Sequence, residues 1–303
     1  MADAGGAPPA AARCGVVAII GAPNAGKSTL VNALVGQKLA IVSPKVQTTR
    51  TRLMGIALAG PAQLLLVDTP GLFAPRRELD RAMVAEAEAA ARDADIRLLL
   101  VDSARAALPD TLPGAAGAPA WLVLNKVDLV AKARLLPLAA ELAAAHAFAR
   151  VFMISALTGD GVDDLREALA TAVPEGPWLF PADQLTDAPQ RLLAAELTRE
   201  QLFLQLGAEL PYASAVLPES FETRPDGSVL IRQQILVERE SQRAIVLGER
   251  GRRIRSIGEA ARAAIGEALG TRVHLFLHVK VMPGWAENPS VLRALGLRPG
   301  ARR

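Results

Sequence analysis

Only one cysteine, Cys14, occurs in the 303-residue chain. No internal disulfide and no cysteine-based zinc site can be built from it, and its place ahead of an apolar run makes it a small residue entering a strand. Aromatic residues are 4% of the chain, which disfavours a surface built as a base-stacking platform. No apolar run reaches the ~18 residues of a membrane-crossing helix. The first 13 residues are rich in Ala, Pro and Gly and carry Asp3. They lack the basic start and apolar block of a secretory signal and read as a disordered tail. What remains is 51% hydrophobic and 21% charged, the balance of a globular protein long enough for two cores.

Charge is unevenly spread. Residues 1–190 hold 17 Lys/Arg against 19 Asp/Glu, whereas residues 191–303 hold 17 against 12. A basic C-terminal half points to a polyanion, either nucleic acid or an anionic membrane surface.

The first half alternates short apolar runs (16–20, 63–67, 97–101, 120–124 and 151–154) with Ala-rich helical stretches (27–34, 78–92, 136–145 and 162–171). This predicts an α/β, doubly wound, mostly parallel sheet with ligands beyond the carboxyl ends of its strands. Prolines at 174, 177, 181 and 189 mark a linker over 174–189. Beyond it a smaller α+β domain is expected over 190–282, with 283–303 as a tail. Its pattern is a helix (190–206), two extended segments (212–222 and 228–238) around Arg224-Pro225-Asp226-Gly227, an apolar stretch at 244–247, a helix (252–269) and a strand (272–281).

Gly21-Ala22-Pro23-Asn24-Ala25-Gly26-Lys27-Ser28 follows a predicted strand and opens a helix. Such a loop wraps phosphates with backbone N–H groups at a helix N-terminus. Lys27 is the candidate catalytic residue, reaching the β- and γ-phosphates; Ser28 would bind Mg²⁺, and Thr29 belongs to the same contact set. Asp68-Thr69-Pro70-Gly71 ends the next predicted strand (63–67), where Asp68 would hold Mg²⁺ through water and the Gly71 N–H would sense the γ-phosphate. Asn125-Lys126-Val127-Asp128 follows the fourth predicted strand (120–124). Asp128 can accept from guanine N1–H and its exocyclic amine, groups that adenine lacks, so the loop selects GTP over ATP. Asn125 would bond the base and brace the loop, and the Lys126 stem would lie along the ring. Ser155-Ala156-Leu157 would give a backbone N–H to guanine O6. Thr49, in preference to Thr48, would complete the Mg²⁺ site.

Two details bear on rate. Leu72 stands where a water-orienting glutamine stands in Ras-type enzymes, which predicts slow intrinsic hydrolysis. Asn24 resembles the asparagine through which some GTPases bind K⁺, although a loop residue tolerant of unusual backbone angles is the competing reading.

In the basic half, Gly248-Glu249-Arg250-Gly251 lies between an apolar segment and an amphipathic helix, with Arg252, Arg253 and Arg255 following. That is the arrangement of a KH domain, whose G-x-x-G loop clamps nucleotide backbone. The two glycines leave room for the sugar-phosphate chain, and Ile254 and Ile257 face the core.

These motifs, with Gln47-Thr48-Thr49-Arg50, Gly207-Ala208-Glu209-Leu210-Pro211-Tyr212, Leu236-Val237-Glu238-Arg239-Glu240 and Gly284-Trp285, make residues 15–297 resemble the bacterial Era GTPase family. The resemblance implies a GTPase domain over 14–173 and a type II KH domain over 190–282. It also implies binding near the 3′ end of small-subunit (16S) rRNA and a nucleotide-controlled switch in 30S ribosomal subunit assembly. Residence is expected in the cytoplasm, with some peripheral association at the inner membrane; no DNA partner is expected, and the protein is expected to be a monomer. Two other readings stay open: a membrane-surface GTPase, and an assembly scaffold whose nucleotide is mainly structural. One departure from the family is the segment 102–119, rich in proline and glycine, where a crossover helix must be brief or absent.

Overall fold

The computed structural model describes residues 11–42, 53–70, 78–108, 118–207 and 209–297. The chain divides into two compact units, one holding described residues up to 40, 53–70 and 83–187, the other 41–42, 78–82 and the described residues from 188 on.

The first sheet contains β1 (Arg13–Gly21), β2 (Leu53–Ala59), β3 (Ala62–Asp68), β4 (Ile96–Asp102), β5 (Ala120–Asn125) and β6 (Arg150–Met153) in the order β2-β3-β1-β4-β5-β6. Every pair is parallel except β2–β3. All residues of β3 and β5 are buried, as continuous apolar strands covered on both faces must be. Helices α1 (Lys27–Val35) and α4 (Val162–Ala172) close one face with Leu30, Val31, Leu165 and Leu169; α3 (Lys132–Ala145) closes the other with Ala139 and Leu142. Helix α2 spans Glu78–Asp93, of which residues 83–93 belong to this unit. Strand β1 pairs with β3 on one side and β4 on the other, so the winding reverses beside it and a crevice opens above Gly21, Asp68, Asp102 and Asn125.

Strand β2 is absent from the sequence expectation because Gly55 interrupts it, and an interior glycine usually weakens a strand. The structure supplies the reason: a Cβ at Gly55 would lie 2.8 Å from Val35 Cγ2 and 3.0 Å from Val31 Cγ1 of α1. Cys14 lies in β1, and burial pushes its thiol pKa up, in keeping with a packing residue. The proline-rich segment 174–187 lies along the β2–β3 pair. Gln63, fully buried, donates to the Phe180 carbonyl (2.8 Å) and accepts from the N–H groups of Leu179 (2.9 Å) and Phe180 (3.0 Å). The Ile56 N–H donates to Leu185 O (2.8 Å), and the Thr186 hydroxyl donates to Met54 O (2.7 Å).

The second unit has the order α5 (Gln190–Gln205), β7 (Ser214–Thr223), β8 (Val229–Val237), α6 (Glu240–Leu247), α7 (Arg252–Leu269) and β9 (Val273–Val281). Its sheet runs β7-β8-β9, with β7–β8 antiparallel and β8–β9 parallel. Residues 244–247, expected as an apolar stretch, are the end of helix α6. Its start is hard to see because the Glu238 and Arg239 N–H groups are capped by the Gln242 side chain and not by an acceptor preceding the helix. Residues 283–297, expected as part of a tail, are folded: Trp285 is fully buried and donates to Ala213 O (3.1 Å), and α8 (Pro289–Ala294) buries Val291 and Leu292.

Candidate functional site: a nucleotide pocket and a basic loop

The loop Gly21–Gly26 leaves the end of β1 and delivers Lys27, Ser28 and the half-buried Thr29 on the first turn of α1. Asn24 (φ 63°) and Gly26 (φ 99°) turn the chain through the left-handed region. Gly26 is required twice over, because an added Cβ would also meet the amide of Asn125. The Lys27 ammonium donates to the carbonyls of Gly21 (3.1 Å) and Ala22 (2.9 Å). Burial lowers its pKa to about 8, with nearby Asp68 pulling the other way. It is therefore a cation poised for anionic oxygens.

Ser28 Oγ donates to Asp68 Oδ2 at 2.7 Å, and both side chains are buried. A hydroxyl and a carboxylate converging at the foot of a phosphate loop are hard oxygen donors of the kind Mg²⁺ takes. Thr69 and Pro70 are buried behind them, the Thr69 hydroxyl donating to Ile19 O (2.7 Å). Thr49, Gly71 and Leu72 lie outside the described residues.

One side chain joins three of the motifs. Asn125 Nδ2 donates to Ala25 O (2.8 Å), and Asn125 Oδ1 accepts the Ala156 N–H (2.9 Å). The bracing expected of Asn125 is thus a clip across the phosphate loop, the Asn125–Asp128 loop and the Ser155–Leu157 loop. Of the latter three N–H groups, that of Ser155 donates to Asp160 O (2.9 Å), and that of Ala156 goes to Asn125. Val127 donates to Ile154 O (3.2 Å), while Asp128 and Leu157 remain exposed.

Sequence reasoning missed Asp102 and Ser103. Asp102 Oδ2 pairs with the Lys126 ammonium at 2.7 Å, holding a residue whose backbone sits at φ 63°. The buried Ser103 hydroxyl donates to Asn125 O at 2.7 Å. A signal was present: Leu-Leu-Leu-Val-Asp ends both β3 (64–68) and β4 (98–102), so both aspartates stand at strand ends facing the crevice. Among the described residues no cluster of His, Cys, Asp and Glu suggests a further metal centre.

In the second unit, Gly248 (φ 69°) ends α6, and Gly251 (φ 75°) begins α7. A Cβ at Gly248 would sit 2.7 Å from Arg253 Cβ, so the helices approach too closely there for any side chain. Glu249, Arg250, Arg252, Arg253 and Arg255 are all exposed. Arg253 donates to Ile245 O (3.3 Å), and Arg252 makes only a 4.0 Å exposed pair with Glu249, a contact of little energetic weight. A depression of about 330 Å³ lies beside the loop, lined by Gln205, Gly248, Glu249, Arg252, Arg253 and Ser256. Ile257 is fully buried and Ile254 packs against the same core, as the helical spacing predicts.

Comparison with known families gives matches to both units. A family model described as "50S ribosome-binding GTPase" matches residues 16–126, and a KH domain model matches residues 209–286. GTPase Era of Erythrobacter litoralis is 57% identical over 94% of this chain and 97% of its own. That of Afipia carboxidovorans is 55% identical over 94% of each chain. Two solved structures, each 36% identical with a TM-score of 0.89, cover 94% of this chain and 99% of their own. One is Era in complex with MgGDPNP and nucleotides 1506–1542 of 16S ribosomal RNA; the other is a variant of Aquifex aeolicus Era bound to GDP·AlF4⁻. With its phosphate loop, guanine loop and G-x-x-G loop in one continuous match to these proteins, the chain belongs to the Era family of GTPases.

Proposed function

We propose that this protein binds and hydrolyses GTP at the Gly21–Ser28 loop and grips small-subunit rRNA near its 3′ end with the Gly248–Gly251 loop, nucleotide state controlling that grip during 30S assembly. The Asn125 clip carries the first part, because it ties the phosphate-binding and base-binding loops into one pocket. The solved Era complex holding both MgGDPNP and 16S nucleotides supports the second. The "50S" description belongs to a family model that matches only residues 16–126, so the solved complex with 16S rRNA, which covers 94% of this chain, weighs more in naming the subunit.

In this reading, backbone N–H groups of residues 21–26 cradle the phosphates, and Lys27 exchanges its loop carbonyls for phosphate oxygens. Ser28, Thr49 and Asp68 would hold Mg²⁺, which supplies charge neutralisation between the β- and γ-phosphates. Asp128 reads the guanine edge, and Lys126, pinned by Asp102, lies along its ring. Leu72 cannot orient water by hydrogen bonding, so turnover without a partner is slow. Asn24 would place K⁺ beside the phosphates, although its left-handed backbone also satisfies the simpler reading. On the RNA side, Arg250, Arg252, Arg253 and Arg255 with the start of α7 meet sugar-phosphate oxygens. The protein works as a cytoplasmic monomer, and no described helix is long and apolar enough to cross a membrane.

Turnover of GTP with ATP as competitor, in K⁺ and in Na⁺, tests the pocket. Hydrolysis of GTP that excess ATP does not inhibit is expected, faster in K⁺. Equal rates in the two salts remove the K⁺ role, and inhibition by ATP removes the guanine reading.

A further inference from the structure

We infer that the open face of the β7-β8-β9 sheet is a second RNA contact surface, stacking an unpaired base on Phe276 and meeting adjoining phosphates with Arg232 and Lys280. This rests on the RNA-binding reading above and adds to it a surface separate from the Gly248–Gly251 loop.

The inner face of the sheet is filled. Val216, Ile231, Ile235, Val237, Val273 and Val279 lie in the cores beneath α5, α6 and α7. Alternation then sends Arg232 and Gln234 of β8 to the opposite face, where the parallel register sets Arg232 beside Phe276, Gln234 beside His278 and Leu236 beside Lys280. One end of that face is closed: Ala215 and Leu236 are fully buried, and α8 packs against β7. The rest is open. Phe276 is 58% exposed, the one aromatic among the exposed large apolar side chains of the described residues. His278, Lys280 and Arg232 are exposed around it, with His274 half-buried.

A single exposed apolar side chain is ordinary; its setting here is not. From the central strand β8, the Arg232 guanidinium lies 6.0 Å from the ring centroid of Phe276; Phe276 is on the edge strand β9, which carries His274, His278 and Lys280 and no carboxylate. The neighbouring carboxylates belong to β7, where Glu222 lies 3.3 Å from Arg232 and Glu219 accepts from Gln234. A ring with one arginine beside it, and Lys280 further along the same face of a strand that bears no carboxylate, fits a base with its phosphates: any base can stack on a π-face, and Arg and Lys follow the backbone. A lipid surface suits it less, because this face presents one ring and no contiguous apolar patch to insert. One ring also provides for one or two bases, which agrees with the scarcity of aromatics in the chain.

The test uses the full chain with GDPNP and Mg²⁺ and two fluorescent single-stranded RNAs from the 3′ end of small-subunit rRNA. One is a tetranucleotide that fills the loop clamp alone; the other has about 12 nucleotides, room for a ~4-nucleotide clamp plus a stacking tract. Phe276→Ala and Phe276→Leu should each weaken the longer RNA about tenfold and leave the tetranucleotide unchanged. Phe276→Tyr should bind both as the wild type does, and Gly251→Asp should weaken both. Wild-type affinity of Phe276→Ala for the longer RNA, equal weakening of both RNAs, or full rescue by leucine each overturns the inference. So does a loss confined to phosphatidylglycerol vesicles. If Gly251→Asp loses RNA while Phe276→Ala does not, the RNA-binding reading stands and only this surface falls. If the wild type binds neither RNA, both fall.

Discussion

The Asn125 side-chain amide donates to the Ala25 carbonyl at 2.8 Å across 100 residues of sequence, so the loop proposed to read the base is tied to the loop proposed to hold the phosphates. Replacing Asn125 with Ala leaves both Ala25 O and the Ala156 N–H without this buried partner. Each such loss costs about 1–3 kcal/mol. Asn125→Ala is expected to weaken GTP and GDP alike by about 100-fold and to lower nucleotide-free stability by ~2–3 kcal/mol. Equilibrium titration with a fluorescent GDP and urea unfolding check the two parts. Unchanged stability would show that the clip adds nothing before nucleotide binds.

Lys27 gives a pH signature. Burial lowers its pKa to about 8 from 10.5, and bound phosphates favour its charged form, so binding takes up a proton above about pH 8. Affinity for GDP should therefore fall as pH rises from 8 towards 10, by up to ~10-fold per unit. Without nucleotide the sign is opposite. The unfolded chain holds the Lys27 proton between pH 8 and 10.5 while the folded chain has released it, so this residue's contribution to stability rises with pH in that window. Calorimetry of GDP binding in buffers of different ionisation enthalpy at pH 8.5 detects the proton; no buffer dependence contradicts the assignment.

Asp102 is expected to act through Lys126. Their 2.7 Å pair is partly exposed, so its strength is discounted for solvent screening. Asp102→Ala should speed GDP release about fivefold to tenfold without changing the preference for guanine, which is proposed to rest on Asp128. A double-mutant cycle with Lys126→Ala reads the coupling, and strict additivity would show that Asp102 does not position the lysine.

Gln63 anchors residues 179–180 with three hydrogen bonds from a fully buried amide. Gln63→Ala should destabilise the protein by about 3 kcal/mol. Gln63→Glu should do worse, since it keeps the acceptor, loses the donor and buries a charge. Thermal unfolding of the two variants beside the wild type decides the order.

Most of the pocket was legible because its chemistry is local. Gly21–Ser28, Asp68–Gly71 and Asn125–Asp128 each follow an apolar run, and strand-end placement is what such runs specify. The missing parts depended on contacts distant in sequence. Strand β2 contains Gly55 only because α1 presses against it, and local propensity cannot register that. Asp102 becomes functional only when β4 and β5 align it beside Lys126. Trp285 reads as part of a tail until Ala213, 72 residues earlier, accepts its N–H. Helix α6 hid for a related reason, its Arg239–Gln242 start lacking an ordinary capping residue.

The most direct measurement is binding of the full chain to a fluorescent oligonucleotide from the 3′ end of small-subunit rRNA, with a scrambled control, in GDPNP and in GDP. The account predicts tighter, sequence-selective binding with GDPNP, lost in Gly251→Asp while GTP affinity is retained. Equal weak binding to both oligonucleotides, whichever nucleotide is bound, would contradict it.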